Sequence, residues 1–112
     1  MRQQLLALGA VPMVRLPHPG HVTTAGVVIA KQRPPTAKGF AFYVLEDGPV
    51  RLQVALSPDL WQKERDVLRE ARVLVVSGWL EKKGKAWTLR AEQLVDAQAQ
   101  AEGVEYDSKA TR

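Results

Sequence analysis

The sequence predicts an all-β fold, a closed barrel of five short strands with one helix between the third and the fourth. Three observations support this expectation. Runs of β-branched and apolar residues recur with turn signals between them, as in short strands. One segment in the middle of the chain changes to the 3.6-residue period of an amphipathic helix. Because five short strands in an open sheet would leave two unpaired edges, closure into a barrel is favoured.

Three strands are predicted in the first half of the chain. The first covers residues 22–32, VTTAGVVIAKQ, where Gly26 interrupts a β-branched run and predicts a bend or a β-bulge. The second covers residues 39–46, GFAFYVLE, and the third covers 50–56, VRLQVAL. The residues Asp47-Gly48-Pro49 between them are typical of a hairpin turn, so these two strands are expected to pair.

A helix is predicted across about residues 58–70. Ser57 suits the N-cap because its hydroxyl can accept a backbone N–H, and Pro58 suits the first helical position because its φ is already helical. One face of the segment is largely apolar and is expected to pack on the barrel, with Trp61 in the core. That face carries Leu60, Trp61, Glu64, Val67 and Leu68.

The last two strands are predicted at residues 72–80 and 86–94, joined by the basic hairpin 81–85. Three strands, a helix and two strands follow one another in the order of the OB-fold, a five-stranded Greek-key barrel. We therefore expect an OB-fold domain over residues 21–95, with the helix covering one end of the barrel.

The segments outside this domain carry weaker patterns. Residues 1–20 are predicted to form a short helix and an irregular connector, since two prolines and a glycine fall within 15–21. Residues 96–112 are polar and rich in alanine, which predicts a frayed helix or a disordered tail. A start at Met1 favours a separate gene product over an excised domain.

Composition limits the class of protein. A chain of 112 residues is long enough for one domain with a modest core. It has no cysteine, which excludes disulfides and thiolate metal sites. The apolar run near the N-terminus is too short to span a bilayer and lacks a small-residue cleavage site. We therefore expect no membrane segment and no export signal, and a location in the cytoplasm.

Positive charge is concentrated in two stretches of the sequence. The chain has a formal net charge of +4 and a pI of about 9.7, which suits a polyanionic partner. Residues 31–53 and 82–90 together hold eight basic residues against two acidic ones. Since the loops between strands 1 and 2 and between strands 4 and 5 flank strands 2 and 3 in an OB-fold, both stretches are expected to meet at one groove.

Alternation along strands 2 and 3 assigns their faces. In strand 3 the apolar residues point inward, so Arg51, Gln53 and Ala55 point outward. Strand 2 is apolar on both faces, and turning Tyr43 inward leaves Phe42 exposed beside Arg51, where a base can stack on the ring. The alternative is that Phe42 packs under the loop between strands 1 and 2.

The outer surface of strands 2 and 3, with its two flanking loops, is therefore the predicted nucleic-acid interface. The cations there bind phosphates on this hypothesis, and only solubilise the surface on the alternative one. Trp79 and Trp87 are expected in the core or at its rim, with stacking the less favoured role for Trp87. The predicted binding residues are Lys31, Arg33, Lys38, Phe42, Arg51, Gln53, Lys82, Lys83 and Lys85.

No pattern typical of a catalytic site is present. His18 and His21 lack a third ligand at metal-binding spacing, and Glu46-Asp47 lies at a hairpin where an aspartate commonly forms the turn. The sequence contains no glycine-rich phosphate loop and no nucleophile elbow. We therefore expect a binding module that has no catalytic residues, no metal and no cofactor.

Longer stretches resemble a known family. The runs VTTAGVVIAKQRPPTAKGFAFYVLEDG and LWQKERDVLREARVLVVSGWLEKK, with LLALGAVP upstream, resemble the C-terminal OB-fold region of the bacterial DNA polymerase III alpha subunit. The likeness is closest to the error-prone alpha-like paralogue and covers about residues 4–95. In that family the OB domain is thought to bind the single-stranded template. By position, the resemblance implicates Lys31, Arg33, Lys38, Phe42 and Arg51.

Two departures limit what the resemblance implies. The turn at 47–49 is shorter than the family usually has. The palm, the fingers and their catalytic aspartates are absent, so nucleotidyl transfer is not implied. We therefore expect a module that binds single-stranded DNA with little sequence preference and acts in replication or repair, with RNA an open alternative. The rival hypothesis is a module that docks on a polymerase or repair protein.

Overall fold

The computed structural model describes residues 9–16 and 19–98, with Lys83 described by its backbone alone. The helix predicted within residues 1–8 and the tail from residue 99 onward lie outside the described residues. The regular elements are β1 (Gly20–Gln32), β2 (Ala41–Asp47), β3 (Val50–Leu56), α1 (Pro58–Lys63), α2 (Arg65–Glu70), β4 (Val73–Lys83) and β5 (Ala86–Asp96).

The five strands close into a barrel in the order β1-β2-β3-β5-β4. The long strand β1 pairs antiparallel with both β2 and β4, and the parallel pairing of β3 with β5 completes the barrel. The helical segment lies between β3 and β4 in the chain. The predicted fold class, a five-stranded OB-type barrel, is confirmed.

The interior of the barrel follows the predicted alternation. Tyr43 on β2 and Val54 on β3 are buried, and both contact the core that Leu68 and Leu89 complete. Ala55 is the exception, because it lies on the outer face of β3 yet is only 8% exposed. Its pairing partners on that face carry larger side chains, which cover a small methyl group.

The bulge in β1 lies elsewhere than predicted. The register with β2 shifts between Val28 and Ala30, whereas Gly26 pairs regularly with Leu74. Gly26 has another role, because a Cβ there would lie 2.7 Å from Cε of Met13 and 2.9 Å from the carbonyl oxygen of Glu46. The glycine therefore allows close packing, and the predicted bulge at this position was wrong.

The predicted helix over 58–70 is divided into two short helices. Ser57 Oγ accepts the backbone N–H of Leu60 at 3.2 Å, which confirms the predicted N-cap. Glu64 has φ −104° and ψ 24° and separates α1 from α2. No helix within residues 9–16 and 19–98 is long and apolar enough to cross a membrane.

The strands β4 and β5 are longer than predicted. They extend to Lys83 and start again at Ala86, so the turn between them contains only Gly84 and Lys85. Lys82 is therefore a strand residue and not part of a long basic loop.

The segment before β1 packs on the barrel more closely than an irregular connector would. Val11 forms a parallel bridge with Thr24, and residues Met13–Arg15 form a 3-10 turn. The Met13 side chain is 3% exposed and contacts the core. At the other end of the domain, Ala97 is 3% exposed and belongs to a second apolar cluster, so packing on the barrel continues to residue 97.

Candidate nucleic-acid interface

A row of side chains runs across the outer surface of β2, β3 and β5. Phe42 pairs with Ala55, and Ala55 pairs with Arg90. Because adjacent strands lie about 4.8 Å apart, an aromatic ring, a methyl group and a guanidinium stand side by side. Arg51 pairs instead with Glu46, four residues or about 13 Å along β2 from Phe42. The cation in the same row as Phe42 is therefore Arg90, and the predicted proximity of Arg51 was wrong.

The ring of Phe42 is held in place but remains partly exposed. Its centroid lies 6.4 Å from that of Phe40, with 21° between the two ring planes, which is an offset stack. Phe40 belongs to the connection between β1 and β2. Phe42 therefore contacts the β1–β2 connection and still exposes part of its ring, although the sequence suggested these two arrangements as alternatives.

Lys31, near the end of β1, and Arg33, in the β1–β2 loop, both contact the helical segment. Lys31 Nζ donates to the carbonyl oxygen of Leu68 at 3.0 Å and lies 5.5 Å from the centroid of the Tyr43 ring. Arg33 places Cζ 3.8 Å from the centroid of the Trp61 ring, in cation–π contact. Trp61 is half-buried, so it packs on the core and also supports this loop. Both cations fasten the loop to the helical end of the barrel.

Tyr43 and Trp61 connect this contact to the barrel interior. Burial raises the pKa of the Tyr43 hydroxyl above its ordinary value of 10.0, and a side-chain hydrogen bond with Trp61 lowers it in part. The neutral hydroxyl is therefore the form present at neutral pH. The position of Arg33 thus depends on residues of the core.

Lys38 projects from the same loop without a comparable contact to the helices. It follows the 3-10 turn Pro35–Ala37 and adopts a left-handed conformation with φ 54°. The next residue, Gly39, has φ 90°, and a Cβ there would lie 3.0 Å from Cγ of Pro58. This tight turn returns the chain to β2 and leaves the Lys38 side chain exposed.

Ion pairs hold the two arginines of the outer surface. Arg51 Nε lies 3.0 Å from Oε2 of Glu46, and Arg90 Nη1 lies 3.0 Å from Oε1 of Glu81. Exposed pairs of this kind contribute little to stability, yet they orient the guanidinium groups, whose other N–H donors stay available. Gln53 is exposed between these pairs, opposite Val44 and Thr88.

The two basic stretches do not meet at one point. The pairing of β3 with β5 places the β4–β5 turn at the Val50 end of β3, whereas the β1–β2 loop adjoins the Leu56 end. Six residue steps of a strand separate these ends, or about 20 Å. Lys82 Nζ lies 5.4 Å from the centroid of the Trp87 ring, and Lys85 is exposed in the turn. The loops therefore flank the outer surface from opposite ends.

The sequence interpretation missed two residues of this surface. Arg90 completes the row with Phe42, and it pairs in turn with Trp79 on β4, which is 43% exposed. The buried Leu80 and Leu89 next to them in sequence were a usable indication, since alternation turns Trp79 and Arg90 outward. What alternation cannot supply is the register that aligns Arg90 with Phe42.

The described part of the chain has no group of three or more His, Asp or Glu side chains that could hold a metal ion. His18 lies outside the described residues. His21 Nε2 lies 2.9 Å from Oε1 of Glu92 on the surface of the barrel.

Relatives are found among DNA polymerases. An error-prone DNA polymerase of Corynebacterium efficiens is 38% identical over 98 residues, which cover 84% of this chain and 9% of the polymerase. The error-prone DNA polymerase of Bdellovibrio bacteriovorus is 38% identical over 74 residues, 66% of this chain and 7% of the polymerase. The chain thus spans less than a tenth of these relatives, and the resemblance predicted from the sequence is confirmed over that part.

Solved structures share the fold at low sequence identity. A small single-stranded DNA binding protein from Mycoplasma pneumoniae superposes with a TM-score of 0.57 at 10% identity, covering 68% of this chain and 91% of that one. A family model described as an OB-fold nucleic acid binding domain matches residues 22–97, which span the barrel from β1 to the end of β5. The chain therefore belongs to the OB-fold nucleic acid binding domain family.

Proposed function

We propose that this chain binds single-stranded nucleic acid, DNA in preference to RNA, on the outer surface of β2, β3 and β5. The row of Phe42, Ala55 and Arg90 carries the proposal, because it sets a partly exposed ring beside a cation with only a methyl group between them. A base can stack on the ring while its phosphate meets the guanidinium. Membership of a nucleic acid binding family supports the same conclusion.

Low sequence preference follows from the same chemistry. Every base has an aromatic face, so a ring such as Phe42 accepts all four. Lys38, Arg51 and the lysines of the β4–β5 hairpin supply phosphate contacts at the two ends of the surface, and Gln53 adds a polar contact between them. Lys31 and Arg33 contribute by holding the β1–β2 loop against the helices, which reduces the entropy lost on binding.

A role in replication or repair fits the polymerase relatives. In such a polymerase this module would hold the template strand, and the chemistry would reside in the parts that this chain does not match. We infer that the chain itself supplies binding and no nucleotidyl transfer.

The direct test is a fluorescence-polarisation titration with a single-stranded oligonucleotide of about 16 nucleotides and with the matched duplex. The single strand should bind more tightly, because paired bases cannot reach a stacking ring. Its log K should fall linearly with log salt between about 50 and 200 mM. Equal affinity for strand and duplex at every salt concentration would contradict the proposal.

Exposed cations on the surface should control the salt dependence. Lys38→Gln and Arg51→Gln should each reduce the slope of log K against log salt by about 0.7, the value for one phosphate contact on a single strand. Arg72→Gln is the matched control, since it removes the same charge from an exposed residue that belongs to none of β2, β3 and β5. If the control changes the slope as much, the effect reflects net charge and not contacts.

The β4–β5 hairpin should act as a separate phosphate-binding arm. Replacing Lys82, Lys83 and Lys85 together by glutamine should reduce the salt slope by up to about 2, for three contacts of about 0.7 each. The melting temperature should change little, because exposed charges contribute little to stability. A triple variant that binds like the parent would show that the hairpin does not face the strand.

A second candidate function is docking on a polymerase or repair protein, through the β1–β4–β5 side of the barrel. Apolar side chains are exposed there, and they are Val27, Ile29, Trp79 and Val95. An interface of this composition should depend far less on salt than phosphate contacts do. Partner binding that survives high salt and is lost in Val27→Glu would support docking. Val27 lies on β1, outside the strand-binding surface, so docking there is compatible with strand binding.

A further inference from the structure

A cavity of about 240 Å³ occupies the end of the barrel away from the helices. Its lining includes Val14, Arg51, Leu52, Leu80 and Trp87. Leu52 and Leu80 are buried and form its floor, while the half-buried Trp87 contributes an aromatic wall. The cavity is open to solvent at Val14, which is 73% exposed.

The part of the lining that precedes β1, which includes Met13 and Val14, is held by hydrogen bonds to the barrel. The backbone N–H of Met13 donates to Oδ2 of Asp47 at 3.0 Å, and that of Val11 donates to the carbonyl oxygen of Thr23 at 2.8 Å. These bonds fasten the 3-10 turn Met13–Arg15 beside the β2–β3 turn. The cavity is therefore a preformed part of the fold, as binding pockets usually are.

Cations stand at the mouth of this apolar cavity. Lys82 Nζ lies 5.4 Å from the centroid of the Trp87 ring, and Arg51 lines the rim. A flat, weakly polar ring that carries an anionic group satisfies both features, with the ring in the cavity and the anion at its mouth. A nucleobase with its phosphate has this chemistry.

The cavity adjoins the surface already assigned to the strand. Arg51 belongs to both, because it lies on the outer face of β3 and lines the cavity rim. A strand that passes from Phe42 toward the Val50 end of β3 reaches the cavity next, after about 13 Å.

We propose that the cavity receives one base of the bound strand, turned away from its neighbours and placed against Trp87. Arg51 and Lys82 then contact the phosphates on either side of that nucleotide. The inference rests on the proposed function and adds a second base site to it, at the barrel end and not on the outer surface.

The test compares a 16-mer with an abasic strand of the same length and charge. Trp87→Leu should weaken binding of the 16-mer by about 5- to 150-fold, as loss of a stacking ring does, without changing the salt slope. The parent and Trp87→Leu should bind the abasic strand with equal affinity, because that strand has no base to stack on Trp87. A purely structural role of Trp87 would reduce binding of both strands, which would overturn the proposal.

Val14→Gln tests the part of the lining that precedes β1 without changing a core residue, and Val27→Gln is its control at an exposed position of β1. Val14→Gln should lower the affinity for the 16-mer several-fold more than Val27→Gln does. If Val14→Gln and Trp87→Leu both bind within about twofold of the parent while Phe42→Ala is weakened, the cavity is not a base site. If the parent binds no strand at all, the proposed function itself fails.

Discussion

Replacing Phe42 by alanine is expected to weaken single-strand binding by about 1–3 kcal/mol, roughly 5- to 150-fold. The side chain is partly exposed on the outer face of β2, and its stack on Phe40 keeps the ring in a defined position. Removing the ring removes a base-stacking surface and no charge. The slope of log K against log salt should therefore stay the same as in the parent.

Polarisation titrations at several salt concentrations measure both quantities. Phe42→Tyr is the matched control, since it retains the ring and should keep most of the affinity. Thermal melting of each variant separates binding from folding. If Phe42→Ala mainly lowers the melting temperature and binds normally when folded, the ring is a packing residue and the proposed base site is absent.

Gly78→Ala is expected to destabilise the fold by about 3 kcal/mol or more, the upper end of what overpacking costs. The register of β4 and β5 shifts between Ser77 and Gly78, and a Cβ at residue 78 would overlap the carbonyl oxygen of Arg90 and approach Cα of Ala91. These are backbone atoms, which cannot rotate away as a side chain can. The strands must separate locally, and Arg90 moves with them.

Urea unfolding followed by circular dichroism measures this loss. Gly84→Asn is the control, because a Cβ at residue 84 meets nothing within 4 Å and asparagine tolerates its φ of 62°. The control should stay within about 1 kcal/mol of the parent. An unchanged urea midpoint for Gly78→Ala would mean that the backbone of β5 at Arg90 and Ala91 does not approach Gly78 closely enough to exclude a Cβ.

Much of the fold could be predicted because its determinants are local. The β-branched runs, the turn before Val50 and the N-cap at Ser57 each depend on residues close together in the chain. Alternation then assigned Val54 to the core correctly, whereas strand 2 is apolar on both faces and its pattern alone did not decide the direction of Tyr43. Where a local rule failed, a distant residue was the cause, as with Gly26, whose space is taken by Met13.

The candidate site could be predicted less completely, because it depends on register between strands. The prediction placed Phe42 beside Arg51 because alternation turned both outward on two neighbouring strands, without fixing the register between those strands. In the barrel, the parallel pairing of β3 with β5 brings Arg90 into the row of Phe42, across a sequence separation of 48 residues. No periodicity within a single strand contains this information.

The sequence by itself determined the kind of barrel, the inward and outward faces of its strands and the excess of positive charge on its loops. The tertiary structure alone decided how those charges are used. Lys31 contacts Leu68 and Arg33 contacts Trp61, so these two cations hold the β1–β2 loop to the helices. Lys38 stays exposed. The physical reason is that residue type and spacing set local conformation, whereas the partner of a long cationic side chain is whatever packing places beside it.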